Sequence, residues 1–148
     1  MRHALAVVSS TEGSKELVRE AGTLAAGVDA RLTLLHVTTE EKYNDTYREL
    51  QSISSYGGEY GVYQAEQGAA NYAEDIAREV LSDVDIEYDA VGALGDPVER
   101  VLDHAESEGC DHVFVSGRTR SPAGKALFGD DTQQIILEFD GPVTVYTT

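Results

Sequence analysis

Residues 112–146 read HVFVSGRTRSPAGKALFGDDTQQIILEFDGPVTVY, and the order of elements in this stretch decides the fold. HVFVS at 112–116 has the length and composition of a strand. A glycine-containing interval follows, and a short helix is predicted from Asp130 or Asp131 through Ile135 and Ile136 to Phe139, stopped by Gly141-Pro142. VTVY at 143–146 then forms the next strand. A strand, a helix and a strand in this order make a parallel crossover unit.

Working back toward the N-terminus, the same alternation repeats. ALAVV at 4–8, LTLLHV at 32–37 and DIEYDAV at 85–91 complete a set of five strands. Several are apolar on both faces, as strands buried between two helix layers must be. Leu17, Val18, Ala21, Leu24, Ala25 and Val28 recur at helical spacing, as do Ala69, Ala73, Ile76, Ala77, Val80 and Leu81. A third helix carries Val98, Val101, Leu102 and Ala105. Asp96 is its N-cap, Pro97 its first turn, Glu99 its capping-box acid and Gly109 its end. The pattern predicts one open, doubly wound α/β domain over residues 1–148, a five-stranded parallel sheet with helices on both faces. In such sheets ligands settle beyond the carboxyl ends of the strands, where the strand order reverses. That rule selects Ser9–Ser14, Val37–Gly61, Gly92–Pro97 and Gly117–Asp131. The second segment is long and rich in Tyr, Ser and Gly, and Gly57, Gly58 and Gly61 break any continuous helix, so it is read as a loop packed on the domain.

The chain holds 27 Asp and Glu against 11 Lys and Arg, a formal charge of −16. So acidic a surface repels a phosphate backbone, which argues against a nucleic-acid partner. The acids are scattered and only Lys15, Lys42 and Lys125 are lysines, a pattern similar to that of proteins from salt-in halophiles. Cys110 is the only cysteine, which excludes an intrachain disulfide. No run of 18 apolar residues occurs, and MRHALAVVSSTEGS turns polar too soon for a signal peptide. A cytoplasmic protein with no membrane partner is expected.

Arg118, Arg120 and Lys125 place three of the 11 cations within eight residues, just past a buried strand and before a helix N-terminus. Backbone N–H groups exposed by glycines and the positive end of the helix dipole suit an anion. The competing reading is that Gly117, Gly124 and Gly129 only permit tight turns while the cations pair with Asp130 and Asp131. No catalytic constellation accompanies the loop: there is no phosphate loop ending in Gly-Lys-Ser/Thr, no nucleophile elbow, and no metal-ligand spacing among His3, His36, His104 and His112. His36 and His112 lie in or beside buried strands and are expected to be satisfied core histidines. Glu108 and Asp111 beside Cys110 disfavour its thiolate.

Nearly the whole chain resembles the universal stress proteins of the UspA family. The resemblance rests on the Ser-rich turn after the first strand, Leu35-His36-Val37 closing the second, Gly95-Asp96-Pro97 before the third helix, and the stretch VFVSGRTRSPAGKALFGDDTQQIILEFDGPVTVY. ATP-binding members carry Gly, two residues, Gly, nine residues, Gly, then Ser or Thr in that stretch. Gly117 and Gly129 match the outer glycines with the interval one residue shorter; Arg120 replaces the second glycine, Asp130 the Ser or Thr, and Ser9 the acid that ends the first strand. A carboxylate at position 130 would cap the helix amides and repel a phosphate.

The resemblance implies a dimeric regulatory binding protein, not an enzyme, paired through its C-terminal strand. Its pocket would take ATP or AMP weakly, or another anion, with Ser9, Ser10, Val37, Gly95, Gly117, Arg118, Arg120, Gly129, Asp130 and Asp131 as the candidate binding residues. The alternative is an interaction module that binds no nucleotide and acts through its dimer surface and the Tyr-rich loop 43–63. A slow ATP hydrolase ranks third.

Overall fold

The computed structural model describes residues 1–10, 13–53, 60–117 and 129–147. Its elements run β1 (His3–Val7), α1 (Ser14–Gly27), β2 (Arg31–Thr38), α2 (Glu40–Gln51), α3 (Val62–Val80), β3 (Tyr88–Leu94), α4 (Pro97–Glu108), β4 (His112–Gly117), α5 (Asp130–Glu138) and β5 (Val143–Thr147). All five strands pair in parallel in the order β3-β2-β1-β4-β5. This is the α/β sheet expected from the alternation of strand and helix patterns, with β5 at an edge.

The period of two along each strand sorts the core into two layers. Ala4 and Ala6 of β1, Leu32 and Leu34 of β2 and Phe114 of β4 pack against Leu17, Val18 and Ala21 of α1 and Ala73 and Ala77 of α3. Leu5, Leu35, Val113 and Val115 face the other way, onto Val98, Val101 and Ala105 of α4 and Ile135 of α5. Two helices on each face is the doubly wound arrangement. The outer strand β3 is drawn tightly under α3, because a Cβ at Gly92 would stand 2.0 Å from the Glu66 carbonyl oxygen and 2.5 Å from the Ala70 nitrogen.

Caps set the helix starts. Asp96 Oδ2 accepts the Glu99 N–H at 3.1 Å and Pro97 opens α4, while Gly109 closes it at φ 69°, a left-handed conformation that suits glycine. The histidines at the N-terminal end of the sheet are satisfied: Nε2 of His3 lies 2.8 Å from Thr33 Oγ1, and Nε2 of His112 lies 2.8 Å from Thr144 Oγ1.

Two expectations change. Strand β3 begins at Tyr88, opposite Leu32, and runs to Leu94, three residues later than the apolar pattern at 85–91 suggests. Ile86 packs on the core from outside the ladder. Residues 40–51 form a helix instead of a loop, opened by Thr39, whose side chain accepts the Lys42 N–H at 3.2 Å. No residue of this helix is fully buried; Tyr43, Thr46 and Leu50 are half-buried and the rest exposed. Among the described residues no helix is long and apolar enough to cross a membrane.

Candidate functional site: a hydroxyl-lined crevice at the strand-order reversal

From β1 the chain builds outward through β2 to β3, then returns to β4 and β5 on the opposite side. The reversal therefore falls between β1 and β4, and the crevice beyond their carboxyl ends is the expected ligand position. Four hydroxyl residues join its two sides. Ser14, the first residue of α1, accepts the Ser9 N–H at its Oγ (2.8 Å) and donates to the Ser9 carbonyl (2.7 Å). Ser9 Oγ lies 3.5 Å from Ser116 Oγ at the end of β4. Thr132, in the first turn of α5, donates to the Ser116 carbonyl at 2.9 Å.

The chain Ser14–Ser9–Ser116–Thr132 thus ties the N-terminus of α1 to that of α5. Both helices begin behind glycines that have no side chain to offer the first amides: Gly13 at φ 90° and Gly129 at φ 83°. Two positive dipole ends converge on one crevice.

An aromatic pair flanks it. Nδ1 of His36 donates to the Val8 carbonyl at 2.6 Å, and the Tyr72 ring of α3 lies against the imidazole with centroids 4.5 Å apart. The Tyr72 hydroxyl donates to the Ser9 carbonyl at 3.4 Å, and the residue remains 37% exposed. His36 is engaged through Nδ1 as a structural histidine, as expected.

The candidate residues separate on this geometry. Ser9, Gly117 and Gly129 belong to the crevice segments, with Gly117 buried at the end of β4 and Ser10 exposed after β1. Val37 is half-buried in β2 and packs on the α4 side of the sheet. Arg118 and Arg120 lie outside the described residues, as does Lys125. Asp130 and Asp131 are exposed in the first turn of α5. Asp130 is not the N-cap: Gly129 holds that position, and Asp130 is the first helical residue. Its negative charge stays at the positive helix end, but the expected side-chain cap over the amides is absent among the described residues.

Gly95 lies elsewhere. At φ 138° it donates its N–H to the Thr38 carbonyl at 2.9 Å and packs against the stem of Arg100. It lines a separate cleft of about 480 Å³ with Thr39, Glu40, Asp96, Pro97, Glu99 and Arg100, which no other candidate lines. Ser14, Ser116 and Thr132 were not among the candidates. The available signal was a hydroxyl in the first turn of each helix that follows β1 and β4.

Cys110 is buried, and its thiol is pushed up to about 11, first by burial and then by the charges of Glu108 and Asp111, so it is no nucleophile at neutral pH. Among the described residues no three His, Cys, Asp or Glu side chains are placed to hold a metal ion.

A parallel five-stranded sheet of this order with helices on both faces defines a class of small doubly wound α/β domains, and comparison with known proteins gives the family within that class. The family model for the universal stress protein family matches residues 1–147. The chain belongs to that family. No curated protein matches it. The solved structure of hypothetical protein MJ0577 is 23% identical at a TM-score of 0.68, with 99% of this chain and 96% of that one covered. A universal stress protein in complex with cAMP is 16% identical at a TM-score of 0.64, covering 99% and 98%. One from Archaeoglobus fulgidus in complex with dAMP is 15% identical at a TM-score of 0.59, covering 98% and 96%. At these identities the likeness is one of fold.

Proposed function

We propose that this chain is a regulatory stress-response binding protein whose β1/β4 crevice takes an adenine nucleotide weakly, or another anion, without catalysing its conversion. The observation that carries this reading is the hydroxyl chain joining two glycine-capped helix N-termini, since such termini suit phosphate. The exposed face of Tyr72 beside Ser9 offers a platform for a base. Relatives bound to cAMP and dAMP support the adenine class. Asp130 works against affinity, because a carboxylate in the first turn already satisfies the dipole that a phosphate would use. Mass spectrometry of the protein purified from its own host without added nucleotide tests the reading. A substoichiometric adenine nucleotide or a small anion is expected. A tightly held neutral or cationic metabolite would overturn it.

The same reading includes a two-fold dimer through β5. That strand is an edge, and Val143, Thr144, Val145 and Tyr146 are only half-buried with neither Lys nor Pro to protect them. Light scattering should report a dimer that deletion of residues 143–148 abolishes; a monomeric wild type would contradict it. The surplus of acid over lysine supports a salt-adapted, cytoplasmic member of the family with neither a nucleic-acid nor a membrane partner.

A further inference from the structure

Tyr72 of α3 is fixed by contacts from two strands. Its hydroxyl donates to the carbonyl of Ser9, just past β1, at 3.4 Å. Its ring lies against the His36 imidazole of β2, with centroids 4.5 Å apart and planes inclined at 43°. The imidazole is itself anchored: a carbonyl only accepts, so Nδ1 carries the proton that binds the Val8 carbonyl at 2.6 Å, and this sets the plane of the ring.

The approach of α3 that brings Tyr72 there depends on Gly92. His36 and Gly92 are partners across β2 and β3, so their side-chain positions share one face of the sheet. Without a Cβ at Gly92, α3 comes down until the Glu66 carbonyl fills the space that Cβ would need. Tyr72 follows one turn after Ala69, which packs at the same point, and so reaches the level of His36.

One side of the Tyr72 ring is covered by the imidazole, and the residue is still 37% exposed, which leaves the other side open. An unsupported surface tyrosine gives up rotamer freedom when it stacks on a ligand. Here that ordering is complete before a ligand arrives. A flat aromatic face beside the crevice suits another π-system, and every nucleobase has one.

We propose that Tyr72 stacks on the base of a nucleotide whose phosphate lies at the α1 and α5 N-termini, and that His36 is a positioning residue that acts on the base only through Tyr72. The inference rests on the nucleotide reading of the crevice and extends it. The base contributes affinity through a preset aromatic surface, separately from the helix ends that meet the phosphate.

Saturation-transfer NMR of the full chain with AMP, and with ribose 5-phosphate as the same phosphate without a base, separates the two contributions. The wild type should bind AMP about fivefold or more tightly than ribose 5-phosphate, as expected for one base on one aromatic ring. Tyr72→Phe keeps the ring and should keep most of that ratio, whereas Tyr72→Leu should bring it close to one. His36→Asn leaves an amide N–H in the place of Nδ1 for the Val8 carbonyl but removes the ring behind Tyr72. The ratio should then drop about twofold or more, with ribose 5-phosphate binding unchanged. An equal loss for both ligands in His36→Asn would overturn the positioning role. Equal binding of the two ligands by the wild type, or a ratio that survives Tyr72→Leu, would overturn the stacking while leaving the anion crevice in place. Absence of binding by either ligand would overturn the nucleotide reading itself, and this inference with it.

Discussion

Ser9 Oγ and Ser116 Oγ approach to 3.5 Å across the boundary between β1 and β4, the two strands from which the sheet grows in opposite directions. Through Ser14 and Thr132 this contact holds two helix N-termini at one crevice. On the reading proposed above, this geometry suits an anion and Asp130 works against its binding.

The close passage of α3 over β3 should make Gly92 intolerant of any side chain. A Cβ there meets backbone atoms of Glu66 and Ala70, which cannot rotate away as a side-chain tip could. Gly92→Ala should destabilise the protein by about 1–3 kcal/mol or more, the range for overpacking a filled core. Denaturant unfolding reads this as a lower midpoint with an unchanged slope; an unchanged midpoint would show that α3 can shift away.

Stability should fall as the solution is acidified from neutrality. Burial holds the His112 imidazole below its ordinary value, against the opposing charge of Asp111. The unfolded chain therefore takes up a proton near pH ~6.5 that the folded state refuses. The stabilisation is complete above that pH and is lost as pH falls toward the depressed folded value. Asp111 acts in the same direction at lower pH. Burial raises its carboxyl, but the N–H groups of His3 and Arg2 outweigh that and hold it low. The free energy of unfolding, measured from about pH 7 to 5, should decline, and His112→Gln should flatten the decline while keeping a donor for Thr144. Equal slopes in the two proteins would contradict the assignment.

Salt should raise the melting temperature. A net charge of −16 on 148 residues makes the compact state self-repelling. The screening length drops from about 10 Å at 0.1 M to about 3 Å at 1 M, so repulsion between exposed carboxylates is largely screened at molar salt. The surface ion pairs, such as Lys15–Glu79 at 3.0 Å, weaken over the same range but contribute little. Calorimetric scans from dilute buffer to molar KCl should show a rising midpoint, and a flat one would refute a salt-adapted chain.

The sheet was legible because every strand run is bounded by helix signals: Asp96-Pro97 opens α4, Gly109 ends it, and Gly141-Pro142 ends α5. Residues 40–51 were not legible as a helix, because Tyr43, Tyr47 and Leu50 form too thin a stripe among charged residues and the glycines that follow suggest a loop. Gly61 in fact starts α3, its N–H donating to Gln64 Oε1 at 2.9 Å. At the crevice, Gly117 and Gly129 stand where the spacing puts them, at the end of β4 and just ahead of α5. The sequence could not distinguish Asp130 from Gly129 as the cap, because the choice depends on the backbone turning through φ 83°, which favours glycine. Nor could it bring Ser116 to Ser9, a contact between strands 107 residues apart.

Calorimetric titration with ATP of the wild type beside a double variant, Asp130→Ser with Arg120→Gly, tests the central claim most directly. Each charge-assisted hydrogen bond gained by a phosphate is worth about 1.5–3 kcal/mol, about tenfold or more in affinity. The wild type should bind weakly or not measurably, and the double variant at least tenfold more tightly. Tight binding by the wild type that is lost in Asp130→Ser would contradict the account, because the aspartate would then be serving the ligand instead of opposing it.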